Sequence, residues 1–285
     1  MMTFLPVQYD AVALSTYAEL FSRCFPKSAR FTVEYLDWLY CKNPDGLAIG
    51  FDAWDGERLA AHYVCVPAKV SLSGCDVNAM LSLNTATHPE YQGRGLFTKL
   101  AQLTYADAAS AGLDCVFGVA NANSTGGFVR KLGFQLVEPL EARIGVGSLG
   151  IDWGTVGRNV QFTRRWTPES LVWRCSNPKH LVSCKERGGQ IQFHTAAKGI
   201  FLSAIAEFPS NFSTNITLHT DHFLSPFRLF IGLVPTGACH FKGYASIPKT
   251  LRPSPLNFIY RSLNSSTEAI EQGLINFTFL DFDAY

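Results

Sequence analysis

The chain has 285 residues, 47% of them hydrophobic and 13% aromatic, with 24 basic and 23 acidic side chains. That length predicts about two domains with ample apolar material for packed cores, and the balanced charge argues against a nucleic-acid binder held by phosphate neutralisation. No apolar run approaches the roughly 20 residues that a membrane-spanning helix needs.

The first residues, Met1-Met2-Thr3-Phe4-Leu5-Pro6, have no basic stretch leading into an apolar one, so they do not read as a signal peptide. Cysteines stand at 24, 41, 65, 75, 115, 175, 184 and 239 without a Cys-x-x-Cys pair, mostly in apolar runs. Reduced, buried thiols in a cytoplasmic protein are the expectation. Asn211-Phe212-Ser213 has the form of a glycosylation acceptor, which means nothing without secretion.

In chain order, residues 3–9 predict a strand and 10–24 a helix, with Leu14, Tyr17, Ala18, Phe21 and Phe25 near a 3.6-residue period. A second helix is expected over 32–41. Its Trp38 and Tyr40 read as core, or as an aromatic wall for a bound ring. Strands follow at 47–54, 58–71 and 75–87. The last of these enters His88-Pro89-Glu90-Tyr91 and then Gln92-Gly93-Arg94-Gly95-Leu96-Phe97-Thr98, which opens a helix to about Ala111. A strand that feeds a glycine-bearing loop and then a helix aims free amides and a positive dipole end beyond the loop. Gly93 and Gly95 can take positive φ and lack a Cβ, so the backbone can crowd an anion such as a diphosphate. Residues 113–120 then predict a short buried strand. Asn121-Ala122-Asn123-Ser124 leads into a helix through Phe128-Val129-Arg130-Lys131, with Asn123 expected to cap a helix starting at Ser124. Gly133 stops it, and strand character resumes from Phe134 to about 146.

The second half repeats part of the first. Phe31-Thr32-Val33-Glu34-Tyr35-Leu36-Asp37-Trp38 aligns with Trp166-Thr167-Pro168-Glu169-Ser170-Leu171-Val172-Trp173, and both segments run on to Asn-Pro, at Asn43-Pro44 and Asn177-Pro178. Strands are expected at 190–195, 199–205, and near 228–234, 256–261 and 275–281. No second glycine-rich loop occurs, and no Gly-x-Ser-x-Gly elbow of a serine hydrolase. His219-Thr220-Asp221-His222 reads as a solvated loop rather than a metal site, for want of further ligands. No motif specifies an oligomeric state.

Residues 80–134 resemble the GNAT acyltransferase superfamily. Its acyl-CoA diphosphate loop, Gln/Arg-x-x-Gly-x-Gly/Ala, corresponds to Gln92 through Phe97. The strand, asparagine (Asn121 or Asn123), helix and Gly133-Phe134 follow in the family's order. The resemblance implies an α/β chain of two tandem GNAT-like domains, with twisted mixed sheets flanked by helices. Residues 1–150 would hold the acyl-CoA site, and 151–285 would be a degenerate copy that helps form the acceptor site. It implies an N-acyltransferase using acetyl-CoA or another short acyl-CoA as co-substrate, with a small-molecule amine as acceptor. Donor contacts are then expected from Thr87, Gln92, Gly93, Arg94, Gly95, Leu96, Phe97, Thr98, Asn123 and Phe128. Acceptor contacts are expected from Trp38, Tyr40 and Thr85. Asn84 would position water or the acceptor, and His62, on the neighbouring strand, would accept a proton.

Two positions depart from the family pattern. Phe97 stands where a small residue is usual. Val129 stands where many members carry a tyrosine that protonates the leaving thiolate; a thiol of pKa near ~8.5 still leaves tolerably without it. The segment Trp38-x-Tyr40-x-x-Asn43-Pro44 and the closing Phe277–Asp283 stretch are similar to amino-sugar N-acyltransferases that act on nucleotide-linked sugars. Competing readings are a GNAT acting on another small-molecule or peptide amine, a Fem-like transferase using aminoacyl-tRNA, and a non-catalytic acyl-CoA-binding regulatory domain. Balanced charge and the intact loop oppose the second; Val129 favours the third.

Overall fold

The computed structural model describes residues 1–198, 201–209, 226–264 and 269–283, so the Asn211 triplet and His219–His222 lie outside the described residues. The first half contains β1 (Met2–Pro6), α1 (Ala11–Cys24), α2 (Val33–Cys41), β2 (Ile49–Asp55), β3 (Arg58–Leu72) and β4 (Cys75–Thr87). It continues with α3 (Leu96–Ser110), β5 (Cys115–Ala120), α4 (Ala122–Leu132), β6 (Gln135–Pro139) and β7 (Glu141–Val146). The second half contains α5 (Trp153–Asn159), β8 (Phe162–Arg164), α6 (Pro168–Cys175), β9 (Ser183–Arg187), β10 (Gln190–Lys198) and β11 (Leu202–Pro209). It ends with β12 (Phe227–Leu233), β13 (Tyr244–Ser246), β14 (Asn257–Ser262) and β15 (Ile275–Thr278). Among the described residues no helix is long and apolar enough to cross a membrane.

Helix starts follow local chemistry. Asp10 accepts from Val12 and Ala13 N–H to cap α1, and Thr32 and Thr167 cap α2 and α6 through the third residue on. α4 begins two residues earlier than the sequence predicts. Asn121 is its cap and forms a reciprocal capping box with Ser124, while Asn123 sits exposed in the first turn and donates its N–H to the Asn121 side chain.

β3 is buried along almost its whole length because helices cover both faces. Ala61, Tyr63 and Cys65 point to a cluster with Leu100 and Tyr105 of α3 and Phe128 of α4. Val64 and Val66 point to the opposite cluster with Leu14, Tyr17 and Phe21 of α1 and Leu36 and Leu39 of α2.

β1 to β4 pair antiparallel in sequence order. β4 and β5 run parallel, but their ladder covers only Ala79–Ser82 against Cys115–Gly118, although β4 runs on to Thr87 and β5 to Ala120. The separation has a local cause. Val64 faces Leu83 and Tyr63 faces Thr85, so Asn84 is an extra residue in the ladder, with φ +43°. Asn is among the few residues that take this left-handed conformation readily, and a bulge bends its strand.

The halves exchange a strand. The strand between β5 and β6 is β14 from the second half, antiparallel to both. In return β7 leaves the first half and lies between β12 and β13, again antiparallel to both. A fragment of residues 1–150 therefore lacks the strand that joins β5 to β6 and exposes two unpaired edges. It is expected to aggregate on its own and to become soluble when co-expressed with 151–285, as read by gel filtration. A soluble, monomeric 1–150 fragment would contradict the exchange.

The eight-residue repeat meets itself at the junction of α2 and α6. Trp38 Nε1 donates to the Trp173 carbonyl at 2.9 Å, and Trp173 Nε1 donates to the Trp38 carbonyl at 2.9 Å. The two indoles stack with centroids 4.9 Å apart and 18° between planes. Gln135, also 135 residues from its partner, donates its side-chain amide to the Ile270 carbonyl and accepts from the Ile270 N–H. The tryptophan pair, in which each residue gives the other the same bond, marks a local two-fold relation between the halves.

Candidate active site

The loop from β4 to α3 is anchored rather than free. Tyr91 is buried and its hydroxyl donates to Asp55 at 2.9 Å. Arg94 lies over the Tyr91 ring at 4.8 Å and donates to the Glu90 carbonyl at 3.0 Å. Between these anchors Gly93 and Gly95 both take positive φ, +78° and +74°. Gly95 is the N-cap of α3. No side chain caps that helix and no acidic residue lies in its first turn, so the amides of Leu96, Phe97 and Thr98 keep their donor capacity for an external anion.

Phe97, the large residue in the loop, turns inward. Its ring packs edge-on against Tyr63 and Phe128. A Cβ on Gly127 of α4 would stand 3.1 Å from Phe97 Cε1, so the glycine makes room for the phenyl ring. Phe128 belongs to the same core, between Phe97 and Phe134.

On the other side of β4 a hydrogen-bonded chain runs through the protein. Tyr17 Oη donates to Asp52 Oδ2 at 2.7 Å, and Asp52 Oδ1 lies 2.6 Å from His62 Nδ1. His62 Nε2 is 2.9 Å from Tyr40 Oη, which accepts from Asn84 Nδ2 at 3.2 Å. Asp52, His62, Tyr17 and Tyr40 are all buried. Burial raises the pKa of the Tyr17 and Tyr40 hydroxyls, so both stay protonated at neutral pH.

Asn84 also lines a cavity of about 820 Å³ across the mouth of the β4–β5 gap. Thr85 borders it from β4 and Asn121 from the cap that follows β5, residues 25 and 27–31 from the segment between α1 and α2, and Lys179 and His180 from the second half. Among the described residues the lining carries Lys27, Arg30, Lys179 and His180 and no carboxylate. Arg30 is paired with Asp283 at 3.2 Å. Burial opposes its charge, but Tyr35 and Asp283 outweigh that and raise its pKa. Burial lowers the His180 pKa below the ordinary 6.5; Asp283 pulls it up, while Arg30 and Arg174 push it further down.

The structure thus gathers Gln92 to Thr98 at the start of α3, with Thr87 adjoining through the Gln92 amide at 3.5 Å from its carbonyl. It sets Asn84 and Thr85 in the cavity lining, with Tyr40 and then His62 buried behind Asn84. Four expected side-chain contacts are placed elsewhere, one of them Phe128, in the core with Phe97 and Phe134. Trp38 is buried against Trp173 rather than in the cavity wall, because its indole completes the reciprocal pair. Tyr40 reaches the cavity only through Asn84. Asn123 faces outward because Asn121 took the cap. Sequence reasoning passed over Asp52, Tyr17, Lys27, Arg30, Lys179 and His180. Lys179-His180 directly follows the repeated Asn-Pro, which was the one available signal.

Known proteins resemble the chain in a domain profile and in fold. The profile of the acetyltransferase (GNAT) domain matches residues 10–137. A GCN5-related N-acetyltransferase from Anabaena variabilis is similar in structure at 12% identity, covering 92% of this chain and 73% of that one, with TM-score 0.57. A conserved protein from Enterococcus faecalis, described as a probable N-acyltransferase, gives 13% identity, 92% and 73% coverage and TM-score 0.57. Eis1 from Mycobacterium abscessus gives 11% identity, 93% and 74% coverage and TM-score 0.60. At such identities these likenesses establish the fold, and they extend over both halves. No curated protein sequence matches the chain. Residues 10–137 thus match a GNAT acetyltransferase domain, and the similar structures extend the likeness of fold over both halves of the chain.

Proposed function

We propose that the protein transfers an acetyl or other short acyl group from coenzyme A to the amine of a small anionic acceptor. A nucleotide-linked amino sugar is the acceptor type that the sequence resemblance favours. The observation that carries this reading is the position of the basic cavity: Asn84 and Thr85 line it on β4, past the end of the β4–β5 ladder, and the same strand runs on to Thr87 and the loop that opens α3 without a side-chain cap. The donor diphosphate would sit on the amides of 96–98 and the pantetheine arm along the unpaired edge of β4. The acyl carbon would then reach the cavity near Asn84 and Thr85.

Attack by the amine on the thioester forms the C–N bond and expels a thiolate that needs no strong acid, in keeping with Val129 on α4. His180, neutral at neutral pH because its pKa is lowered, is the group in the lining suited to take the amine's proton. The second half serves the acceptor through Lys179 and His180. Its segment 210–226 contains no glycine with which to build a second diphosphate loop.

Incubation with acetyl-CoA and separate pools of anionic, neutral and cationic amines, read by thiol release, tests the proposal. Release with amino-sugar phosphates supports it; a preference for polyamines would refute the acidic-acceptor reading. Lys27→Glu and Lys179→Glu are each expected to raise the acceptor KM about tenfold and leave the acetyl-CoA KM unchanged.

A further inference from the structure

The buried chain from Gln8 to Asn84 has one consistent direction. The Gln8 N–H, a group that can only donate, bonds to Tyr17 Oη at 2.9 Å. Tyr17 donates its own proton to the Asp52 carboxylate. The other carboxylate oxygen can only accept, so it fixes the His62 proton on Nδ1 and leaves Nε2 as an acceptor. The imidazole is held in that orientation by Tyr17, stacked at 4.1 Å, and by Phe21, edge-on at 5.6 Å. Tyr40 must then donate to His62 Nε2, and its oxygen is left to accept from a neighbour. Asn84 supplies that donor through Nδ2.

We propose that Asp52, His62 and Tyr40 are positioning residues that hold the Asn84 carboxamide with Nδ2 inward, so that Oδ1 is offered to the cavity as a hydrogen-bond acceptor for the incoming amine. An amine bound N–H to Oδ1 keeps its lone pair free for the thioester carbon. With the amide reversed, Nδ2 would face the amine donor to donor. Among the described residues Asn84 Oδ1 accepts no hydrogen bond, so its capacity is unspent within the protein. The left-handed bulge at Asn84 carries the residue to the cavity rim, so one asparagine serves both the strand's shape and the polarity of the site. The proposal rests on the acyl-transfer reading above.

Two measurements test it. In protein labelled with 15N-histidine, the nitrogen shifts of the buried, unexchanging His62 are expected to show the neutral Nδ1–H form; an Nε2–H tautomer or an imidazolium would overturn the assignment. In steady-state kinetics with acetyl-CoA and glucosamine 6-phosphate as the probe amine, Tyr40→Phe and Asp52→Asn are each expected to lower kcat/KM for the amine about tenfold. The KM for acetyl-CoA and calorimetric binding of CoA should stay unchanged. Tyr40→Phe removes a single oxygen atom, so it decides the matter if Asp52→Asn folds poorly. Wild-type amine kinetics in both variants would overturn the proposal. A wild-type enzyme inert toward every amine would count against acyl transfer itself, and the histidine tautomer would still decide the relay.

Discussion

Gly95→Val is expected to weaken coenzyme A binding by at least about a hundredfold while the chain stays folded. The argument separates two effects that usually travel together. A Cβ at Gly95 meets no protein atom within 4 Å, so the substitution creates no internal clash. The residue does sit at φ +74°, where a β-branched side chain is an outlier, which costs about 1–2 kcal/mol of stability. The loop can relieve that strain only by rotating toward negative φ, which swings the amides of Leu96, Phe97 and Thr98 away from a common anion. The new side chain also stands on the loop's open side, where a diphosphate would approach. Calorimetry with CoA should lose its heat signal while the thermal midpoint falls only a few degrees. Unchanged affinity would mean that the loop merely turns a corner.

Trp173→Ala is expected to lower the unfolding free energy by about 3–5 kcal/mol, and Trp38→Ala by a similar amount. Both indoles are buried, and each gives its only N–H to the other residue's carbonyl. Truncating one removes a stacked ring, opens a cavity, and takes the indole donor from the other residue's carbonyl, while the surviving indole N–H keeps its backbone acceptor. Once the first is gone, the second has already lost its stacking partner and one of the two cross-bonds. The double variant should therefore cost clearly less than the sum of the singles. Urea denaturation followed by tryptophan fluorescence and circular dichroism measures all three. Losses under about 1 kcal/mol for each single variant would show that the α2–α6 junction contributes little to holding the halves together.

Some of the site was legible before any coordinates. The glycine loop, the helix it starts and the eight-residue repeat depend on chemistry within a few residues: positive φ at glycine, capping at Thr32 and Thr167, and apolar spacing. The repeat even named the two tryptophans that meet, and their contact makes Trp38 core, the first of the two readings its position allowed, and not an acceptor wall. The cap of α4 was misplaced by two residues because Asn121 and Asn123 offer the same side chain to the same kind of helix start, and only the Ser124 partner distinguishes them.

What the amino-acid order determined by itself was local: where strands yield to helices, where a helix start is left without a cap, and which octet recurs. What tertiary structure decided was every partnership across long separations. A simple count back from the turn at Gly56 would place Asp52 opposite Ala61; a bulge between Ala53 and Trp54 shifts the register by one and sets the carboxylate against His62. Another bulge, at Asn84, parts β4 from β5. The exchange of β7 for β14 and the approach of Lys179 and His180 to the cavity come from packing between the halves. Bulges and strand exchange add little local signal because they are settled by which apolar faces must be covered, and that is a property of the assembled sheet rather than of any window along the chain.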